Sequence, residues 1–296
     1  MTSTITRRKT LVKIWLISVF FILSGFHSYS QLSGTKTINP SGGDYLTFTA
    51  AVNALVSQGI NGPVTLNVAD GTYSEKIRIG NIPGASAVNT VTIQSASADS
   101  SKVILTISST ASASNWTLQV DSADYLTIRE ITIAATGTSY ARCVNINGSA
   151  SNINFENCHF VGYNTTSSSS DYSLIYSTGD QTDKLVFRNN LFSNGSAGIA
   201  LNGYSTGVLS TGTRILNNVF SDQNENGVWL GRQDGPVING NIINPLSDPV
   251  SAIYVEYCDN AIEIQNNKIN LPSGNNGIYM NYCDGTTLNR GKLLIT

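Results

Sequence analysis

The feature that most constrains the fold of this sequence is an internal repeat that begins near residue 115. Each repeat has a short strand of alternating apolar residues, a polar turn, a second such strand and a closing apolar residue. Equivalent positions lie from 23 residues apart (Ile215 to Ile238) to 32 residues apart (Phe155 to Phe187). This period leaves no room for crossover helices, so the strands are expected to be parallel and to stack about 4.8 Å apart.

The repeat therefore predicts an all-β fold, a right-handed parallel β-helix. A sandwich or a propeller would need antiparallel hairpins, whose two-residue turn signals are sparse here. The first strands align Leu118, Val144, Leu174, Ile199, Val228, Ile253 and Ile278 in one inward column, and Val120, Ile146, Tyr176, Leu201, Leu230, Val255 and Met280 in another. The second strands align Ile128, Phe155, Phe187, Ile215, Ile238, Ile264 and Leu288, and the closing positions are Ile133, Phe160, Phe192, Phe220, Ile243, Ile269 and Leu293.

A polar column accompanies these apolar ones at the turn after the second strand. It consists of Asn190, Asn218, Asn241 and Asn267, and earlier coils have Ile131 and Cys158 there. Stacked Asn amides at an interior turn can bond both to the backbone and to the next coil, so a structural Asn ladder is predicted.

The four cysteines give a second register argument. Cys258 and Cys283 share a position in adjacent coils, where either a disulfide or a stacked pair of thiols fits the spacing. Cys143 and Cys158 fall in different columns, and no pairing is predicted for them.

The N-terminal region divides into a leader and a cap. Residues 1–30 combine basic residues at 7–13, an apolar run at 14–23 and the small residues Ser28 and Ser30, which is typical of a secretory signal peptide. The run is shorter than the ~20 residues of a membrane-spanning helix. We expect cleavage after Ser30, a secreted or cell-surface location, and no membrane span in the mature chain.

Residues 31–296 are then expected to form one β-helix domain. Residues 47–58 place Phe48, Val52, Leu55 and Val56 on one helical face and are predicted to form a short helix that caps the open end. Residues 64–68 and 91–94 are expected to form the first coils. The sequence stops within a coil at residues 292–296, which indicates a truncated domain, so a monomer or a part of a longer chain is expected.

Composition removes several classes of function. The formal net charge of −2 gives no electrostatic footprint for nucleic acid. After residue 30 the only histidine is His159, which excludes multi-histidine metal centres. No cofactor is predicted. Asp259 and Asp284 could hold Ca²⁺, but two carboxylates fall short of the ~6–8 oxygens that it takes, and a solvated turn is the alternative.

An exposed aromatic row is the best candidate for a binding surface. The outward residues of the first strands are expected to be Gln119, Asn145, Ile175, Ala200, Trp229, Tyr254 and Tyr279. Three consecutive aromatic rings offer stacking platforms for the sugars of a long glycan. Glu256 and Asn281 should point outward beside them, with Arg232 and Asp234 at the adjoining turn. The alternative is cross-strand stacking that only stabilises the sheet, by ~0.2–1 kcal/mol per pair.

Three N-terminal segments carry a family resemblance: residues 39–52, 62–68 and 71–75. They resemble the opening of pectin methylesterases, in the pectin-lyase-like β-helix superfamily. Together with residues 125–133 they are also similar to β-helix modules of large secreted bacterial surface proteins. In the esterases a Gln, two Asp and an Arg form the catalytic site. Leu230-Gly-Arg232 resembles one esterase motif, but Gln233 and Asp234 replace its Pro-Trp, and two further esterase motifs have no counterpart.

Two functions follow as hypotheses. The first is a non-catalytic module that binds extracellular polysaccharide, or acts in adhesion, through Trp229, Tyr254, Tyr279, Glu256 and Asn281. The second is a carbohydrate esterase or polysaccharide lyase that acts on pectin-like polymers, with Arg232, Asp234 and Glu256 as its candidate catalytic residues.

Overall fold

The computed structural model describes residues 30–246, 251–271, 276–283 and 294–295. They contain one α-helix, α1 (Phe48–Gln58), two 3-10 helices (Ser112–Ser114 and Ser170–Tyr172) and 28 strands, numbered here in chain order. The extended strands stack in parallel sheets, so the predicted right-handed parallel β-helix is confirmed. The proposed signal peptide lies outside the described residues except for Ser30.

Three sheets run along the solenoid. The first sheet contains β1 (Leu32–Ile38), β2 (Ile60–Val68), β5 (Val91–Ser95), β8 (Asp124–Arg129), β11 (Ser151–Glu156), β14 (Asp183–Arg188), β18 (Arg214–Leu216), β22 (Val237–Asn239), β25 (Glu263–Gln265) and β28 (Leu294–Ile295). The second contains β4 (Ile77–Ile79), β7 (Leu118–Asp121), β10 (Val144–Asn147), β13 (Ile175–Thr178), β16 (Ala197–Asn202), β20 (Asn226–Gly231), β24 (Ser251–Glu256) and β27 (Asn276–Asn281).

The third sheet is formed at the closing positions of the repeat, where the sequence pattern indicated single residues. It contains β3 (Gly71–Tyr73), β6 (Val103–Ile107), β9 (Thr132–Ala135), β12 (His159–Val161), β15 (Leu191–Ser193), β19 (Val219–Ser221), β23 (Ile242–Asn244) and β26 (Lys268–Ile269). A two-stranded sheet of β17 (Ser210–Thr211) and β21 (Gln233–Asp234) lies at one turn. A typical coil thus contributes one strand to each of three sheets.

Stacked phenylalanines fill the middle of the core. Phe160, Phe192 and Phe220 occupy neighbouring rungs of the third sheet, and their ring centroids are 4.8 and 4.6 Å apart. Phe155 and Phe187 stack at 5.5 Å in the first sheet. All five rings are fully buried, so the predicted closing and second-strand columns form a continuous apolar core in these coils.

One coil is shifted by a residue from its predicted alignment. Val144 pairs with Ile175, not with Leu174, so the side chains of Ile175 and Ser177 are buried and Tyr176 faces outward. The expectation that Tyr176 is an inward residue and Ile175 an outward one was wrong. The adjacent apolar residues Leu174 and Ile175 permit two alternations, and the polar Ser177 in the interior conceals the one that forms.

The last coil differs as well. Ile264 pairs with Ile295, and not with Leu288 as predicted. Leu288 and Leu293 lie outside the described residues.

Helix α1 caps the N-terminal coils as predicted. The Thr47 hydroxyl accepts a hydrogen bond from the Ala50 N–H (3.0 Å), and the Glu75 carboxylate accepts the N–H groups of Phe48 and Thr49 (3.0 and 2.9 Å). Such bonds satisfy amides that a helix start leaves without partners. The predicted apolar face is wrong at Val56, which is 36% exposed. No helix among the described residues combines the length and hydropathy needed to cross a membrane.

The predicted Asn ladder is present. Asn190, Asn218 and Asn241 are completely buried, and each side-chain amide donates to the Oδ1 of the next, ending at Asn267 (3.0, 3.0 and 2.9 Å). Each amide also donates to a main-chain carbonyl, as Asn218 does to Phe187 (3.0 Å). The ladder therefore satisfies buried polar groups in four successive turns, which an apolar side chain cannot do.

We expect Asn218→Ala to lower the free energy of unfolding by about 3 kcal/mol, because buried partners on both neighbouring coils lose hydrogen bonds that cost ~1–3 kcal/mol each when unmade. Asn267→Ala, at the half-buried end of the ladder, is the matched control and should cost about 1 kcal/mol, since water can replace its bonds. Urea denaturation followed by far-UV circular dichroism measures both. Equal losses would contradict the assigned role of the buried ladder.

Candidate functional site

The outward face of the second sheet carries the aromatic residues that the sequence singles out. Trp229, Tyr254 and Tyr279, named here the aromatic ladder, occupy neighbouring rungs in direct register. The centroids of Trp229 and Tyr254 are 6.5 Å apart, and those of Tyr254 and Tyr279 are 5.1 Å apart. Tyr279 is 41% exposed. The predicted adjacency of the three rings is therefore present.

Polar groups lie beside these rings. Glu256 and Asn281 pair in the next outward column, and the Tyr254 hydroxyl donates to Glu256 Oε2 (3.2 Å). Burial, followed by the nearby Glu256 carboxylate, raises the pKa of Tyr254. The phenol therefore stays protonated and keeps its hydrogen-bond donor at neutral pH.

The adjoining turn holds Arg232 and Asp234, but each has its own partner. The Arg232 guanidinium donates to Asn202 Oδ1 and lies 5.7 Å from the Tyr257 ring centroid. Asp234 accepts a hydrogen bond from the Asn260 amide. The ion pairs found within the described part of the chain do not include Arg232. The candidate catalytic residues Arg232, Asp234 and Glu256 are thus not joined by hydrogen bonds into one acid–base set.

A second aromatic pair was missed from the sequence. Tyr257 and Tyr282 stack with centroids 4.9 Å apart and planes at 8°, and Tyr282 is 69% exposed. Both have left-handed backbone, with φ of 49° and 50°, as does Arg232 at 55°. The signal was available, because residues 254–259 are echoed by 279–284. The alternation of a strand does not predict which way side chains point at such turns, so the two tyrosines were not predicted to lie on the surface.

A cleft interrupts the aromatic column. Tyr176, Ala200 and Trp229 occupy three successive rungs, so the small Ala200 leaves a gap between two aromatic side chains. The gap is a cavity of about 220 Å³. Its other lining residues are Ser168, Ser170, Ser173, Thr178, Ala197, Glu225 and Asn226. This cleft was not predicted from the sequence, because Tyr176 was expected to lie in the interior.

Two charged residues shape the walls of the cleft. The Arg142 guanidinium lies 3.7 Å from the Tyr176 ring centroid, donates to the Ser170 carbonyl (2.8 Å) and pairs with Asp171 (3.4 Å). The Glu225 carboxyl lines the cleft, and its burial raises its pKa. The Arg142 contacts fix the orientation of Tyr176, while Glu225 supplies a hydrogen-bond acceptor.

The four cysteines are free thiols, and Cys258 and Cys283 interact with each other. A hydrogen bond with the Cys258 thiol lowers the pKa of Cys283 to about 7, while burial raises the pKa of Cys258. Burial raises the pKa of both Cys143 and Cys158 to about 12. Cys283 is therefore the thiol with the most thiolate at neutral pH.

Of the two aspartates suggested as a cation site, the structure describes one. Asp259 forms an isolated backbone bridge with Asp234 in the preceding coil, whereas Asp284 lies outside the described residues. Among the residues that the structure describes, no three His, Cys, Asp or Glu side chains come together as a metal-binding group.

Comparison with known proteins gives the family and the fold. Residues 117–293 match the family described as the right handed beta helix region. The pectin methylesterase from Aspergillus niger is 14% identical at a TM-score of 0.51, and the match covers 90% of this chain and 92% of that one. The pectin methylesterase from carrot is 15% identical at a TM-score of 0.52, and the match covers 90% of each chain. One from Erwinia chrysanthemi is 12% identical at a TM-score of 0.51, over 90% of this chain and 94% of its own.

A comparison with curated proteins finds no significant match. The identities to the solved structures are low enough that the likeness is one of fold alone. A shared fold does not determine function, which depends on the side chains at the site.

We expect iodoacetamide at about pH 7.5 to label Cys283 first, because the thiolate is the nucleophile and Cys283 alone has a lowered pKa and a half-exposed position. The labelling rate should level off at a lower pH than for an ordinary thiol, because the Cys258 thiol lowers the pKa of Cys283. Peptide mass spectrometry after brief labelling identifies the site, and Cys283→Ser should remove the fast phase while Cys158→Ser retains it. Fast labelling of Cys158 would contradict this assignment.

Proposed function

The chain belongs to the right-handed β-helix family, and from that premise we propose that it is a secreted or surface-attached module that binds extracellular polysaccharide without cleaving it. The observation that carries the proposal is the aromatic ladder. Trp229, Tyr254 and Tyr279 stand in register on one outward face, and Tyr279 is 41% exposed.

The chemistry of this face suits sugars. The faces of aromatic rings are electron-rich and attract the polarised C–H groups of a pyranose, while they exclude water from its apolar side. The Glu256 carboxylate and the Asn281 amide lie one step away on the same strands, where hydroxyl groups at the edge of a sugar could bond to them. A regular row of such positions fits a repeating polymer better than a small ligand.

Exposure favours binding over stacking as the role of these rings. Cross-strand stacking stabilises a sheet by ~0.2–1 kcal/mol per pair, and it is complete once the rings cover each other. Tyr282, in the neighbouring pair, remains 69% exposed, and Tyr279 also keeps an open surface. The exposed ring faces at this end of the aromatic ladder are available to stack on a ligand.

The hydrogen bonds of the candidate catalytic groups support a binding role. Arg232 is held by Asn202, Asp234 by Asn260, and Glu256 by Tyr254. An acid–base mechanism needs its groups within hydrogen-bond reach of one reacting centre. These three side chains are each engaged elsewhere.

We expect alanine at Trp229, Tyr254 and Tyr279 together to weaken retention in affinity gels that contain a bound polysaccharide by at least roughly ten-fold, because stacked aromatic residues dominate such interfaces. Tyr204→Ala is the matched control, since Tyr204 is 62% exposed but lies outside the second sheet. Unchanged retention of the triple variant, or an equal loss in the control, would refute the site.

A pectin-active esterase or lyase is the second candidate. It is favoured by the fold shared with pectin methylesterases over 90% of the chain and by Leu230-Gly-Arg232. Under the binding proposal, the purified chain should release neither methanol from methylated pectin nor unsaturated uronides from pectate. Release that is lost in Arg232→Ala, but kept in Arg188→Ala at an exposed residue of the first sheet, would establish the enzyme instead.

A further inference from the structure

We propose that the cleft between Tyr176 and Trp229 is a subsite for one uncharged sugar unit, so that the polysaccharide bound by this protein is a neutral glycan and not a uronate. This inference rests on the proposed function and names its substrate class. It is carried by the geometry of the cleft and by the charges that line it.

The dimensions of the cleft fit one sugar ring. Tyr176 and Trp229 are separated by the single rung of Ala200. Two rungs of a sheet span about 10 Å, which leaves room for a flat ring with carbon contacts of about 3.5–4 Å on either side. The cavity of about 220 Å³ is also smaller than the roughly 300–1,000 Å³ of pockets that enclose drug-sized ligands.

The walls of the cleft are fixed before a ligand arrives. Arg142 covers the Tyr176 ring at 3.7 Å and is itself held by the Ser170 carbonyl and Asp171. The cleft-lining Asn226 donates to the Ser251 carbonyl (2.7 Å) in the next coil. Preorganised groups lose little conformational freedom on binding, which is the property of a built subsite.

The charges of the cleft disfavour an acidic sugar. Of the described residues that line it, Glu225 is the one acid, and no Lys or Arg is among them. The charge of Arg142 is paired with Asp171, and Arg232 points to Asn202 at the edge of the sheet. Further along the same face, Glu256 adds a second carboxylate. Among the described lining residues, a uronate would meet the Glu225 carboxylate with no lysine or arginine beside it.

A neutral sugar, in contrast, brings hydrogen-bond donors without a negative charge. Glu225 is half-buried, and desolvation, which raises the pKa of its carboxyl, makes a hydrogen-bond donor favourable to the carboxylate. A sugar hydroxyl can donate to that carboxylate and form a charge-assisted hydrogen bond. Serine and threonine hydroxyls at Ser168, Ser173 and Thr178 offer further donors and acceptors around the ring.

The experiment uses the full chain and four probes in isothermal titration calorimetry: hexamers of β-1,4-linked glucose, mannose and xylose, and of α-1,4-linked galacturonic acid. At least one neutral hexamer should bind about ten-fold or more tightly than the galacturonate, since like charges across an interface are strongly disfavoured. Glu225→Gln should narrow this preference by improving galacturonate binding. Tighter binding of galacturonate by the wild-type chain would overturn the inference.

The variant Ala200→Tyr distinguishes binding in a cleft from binding on a simple row of rings. It completes the aromatic column while it fills the gap, so neutral hexamers should bind about ten-fold or more weakly if the cleft is a subsite. Undiminished or improved binding would overturn the subsite. Tyr176→Ala removes one wall without filling the cleft and should also weaken binding, which keeps the test valid if Ala200→Tyr does not fold.

Failure of this inference and of the proposed function can be told apart. If galacturonate is preferred but binding still depends on Trp229, Tyr254 and Tyr279, the proposed function stands and the neutral subsite is wrong. If no hexamer binds, both are overturned. The control Tyr204→Ala should match the wild-type chain with each probe.

Discussion

Every feature of this molecule depends on the parallel hydrogen bonding that holds one coil in register above the next. Because paired strands are parallel, residues about one repeat apart become direct neighbours at a spacing of about 4.8 Å. The same rule stacks Phe160 on Phe192 in the core and Asn190 on Asn218 at an interior turn. It also sets Tyr254 on Tyr279 outside. Inside, these stacks fill space and satisfy amides; outside, they remain open to a partner.

The outer face of the second sheet has one interruption in its aromatic column. Ala200 departs from the aromatic residues on either side of it, and this one small side chain turns a surface into a concave site. Arg142 and Asp171 then hold one wall, and Glu225 enters from the turn that precedes β20. The site thus combines a regular sheet with residues from irregular turns, which is common where a rigid scaffold presents binding groups.

The sequence alone predicts the regular part of this structure well. Strict alternation and repeated spacing identify the β-helix and the Asn ladder, and a helical apolar face identifies the capping helix, because each is a periodic signal with one physical solution. The alignment fails at Tyr176, where two apolar neighbours and a buried serine make the alternation ambiguous. The cleft could not be predicted, since it arises from the small side chain of Ala200 and from a turn residue, Glu225. The stacking of Tyr257 on Tyr282 was not predicted for a related reason, because left-handed turns follow no strand pattern.

The echo of residues 254–259 in residues 279–284 has a consequence for how such a surface can change over time. In a solenoid each coil contacts mainly its two neighbours, so copying one coil inserts a new unit without rearranging the others. Each duplication would add one more pair of tyrosines to this surface, and under the proposed function a longer surface would engage more units of the same polymer at once. Avidity can therefore grow by gene duplication alone, with the chemistry of each individual contact left as it was.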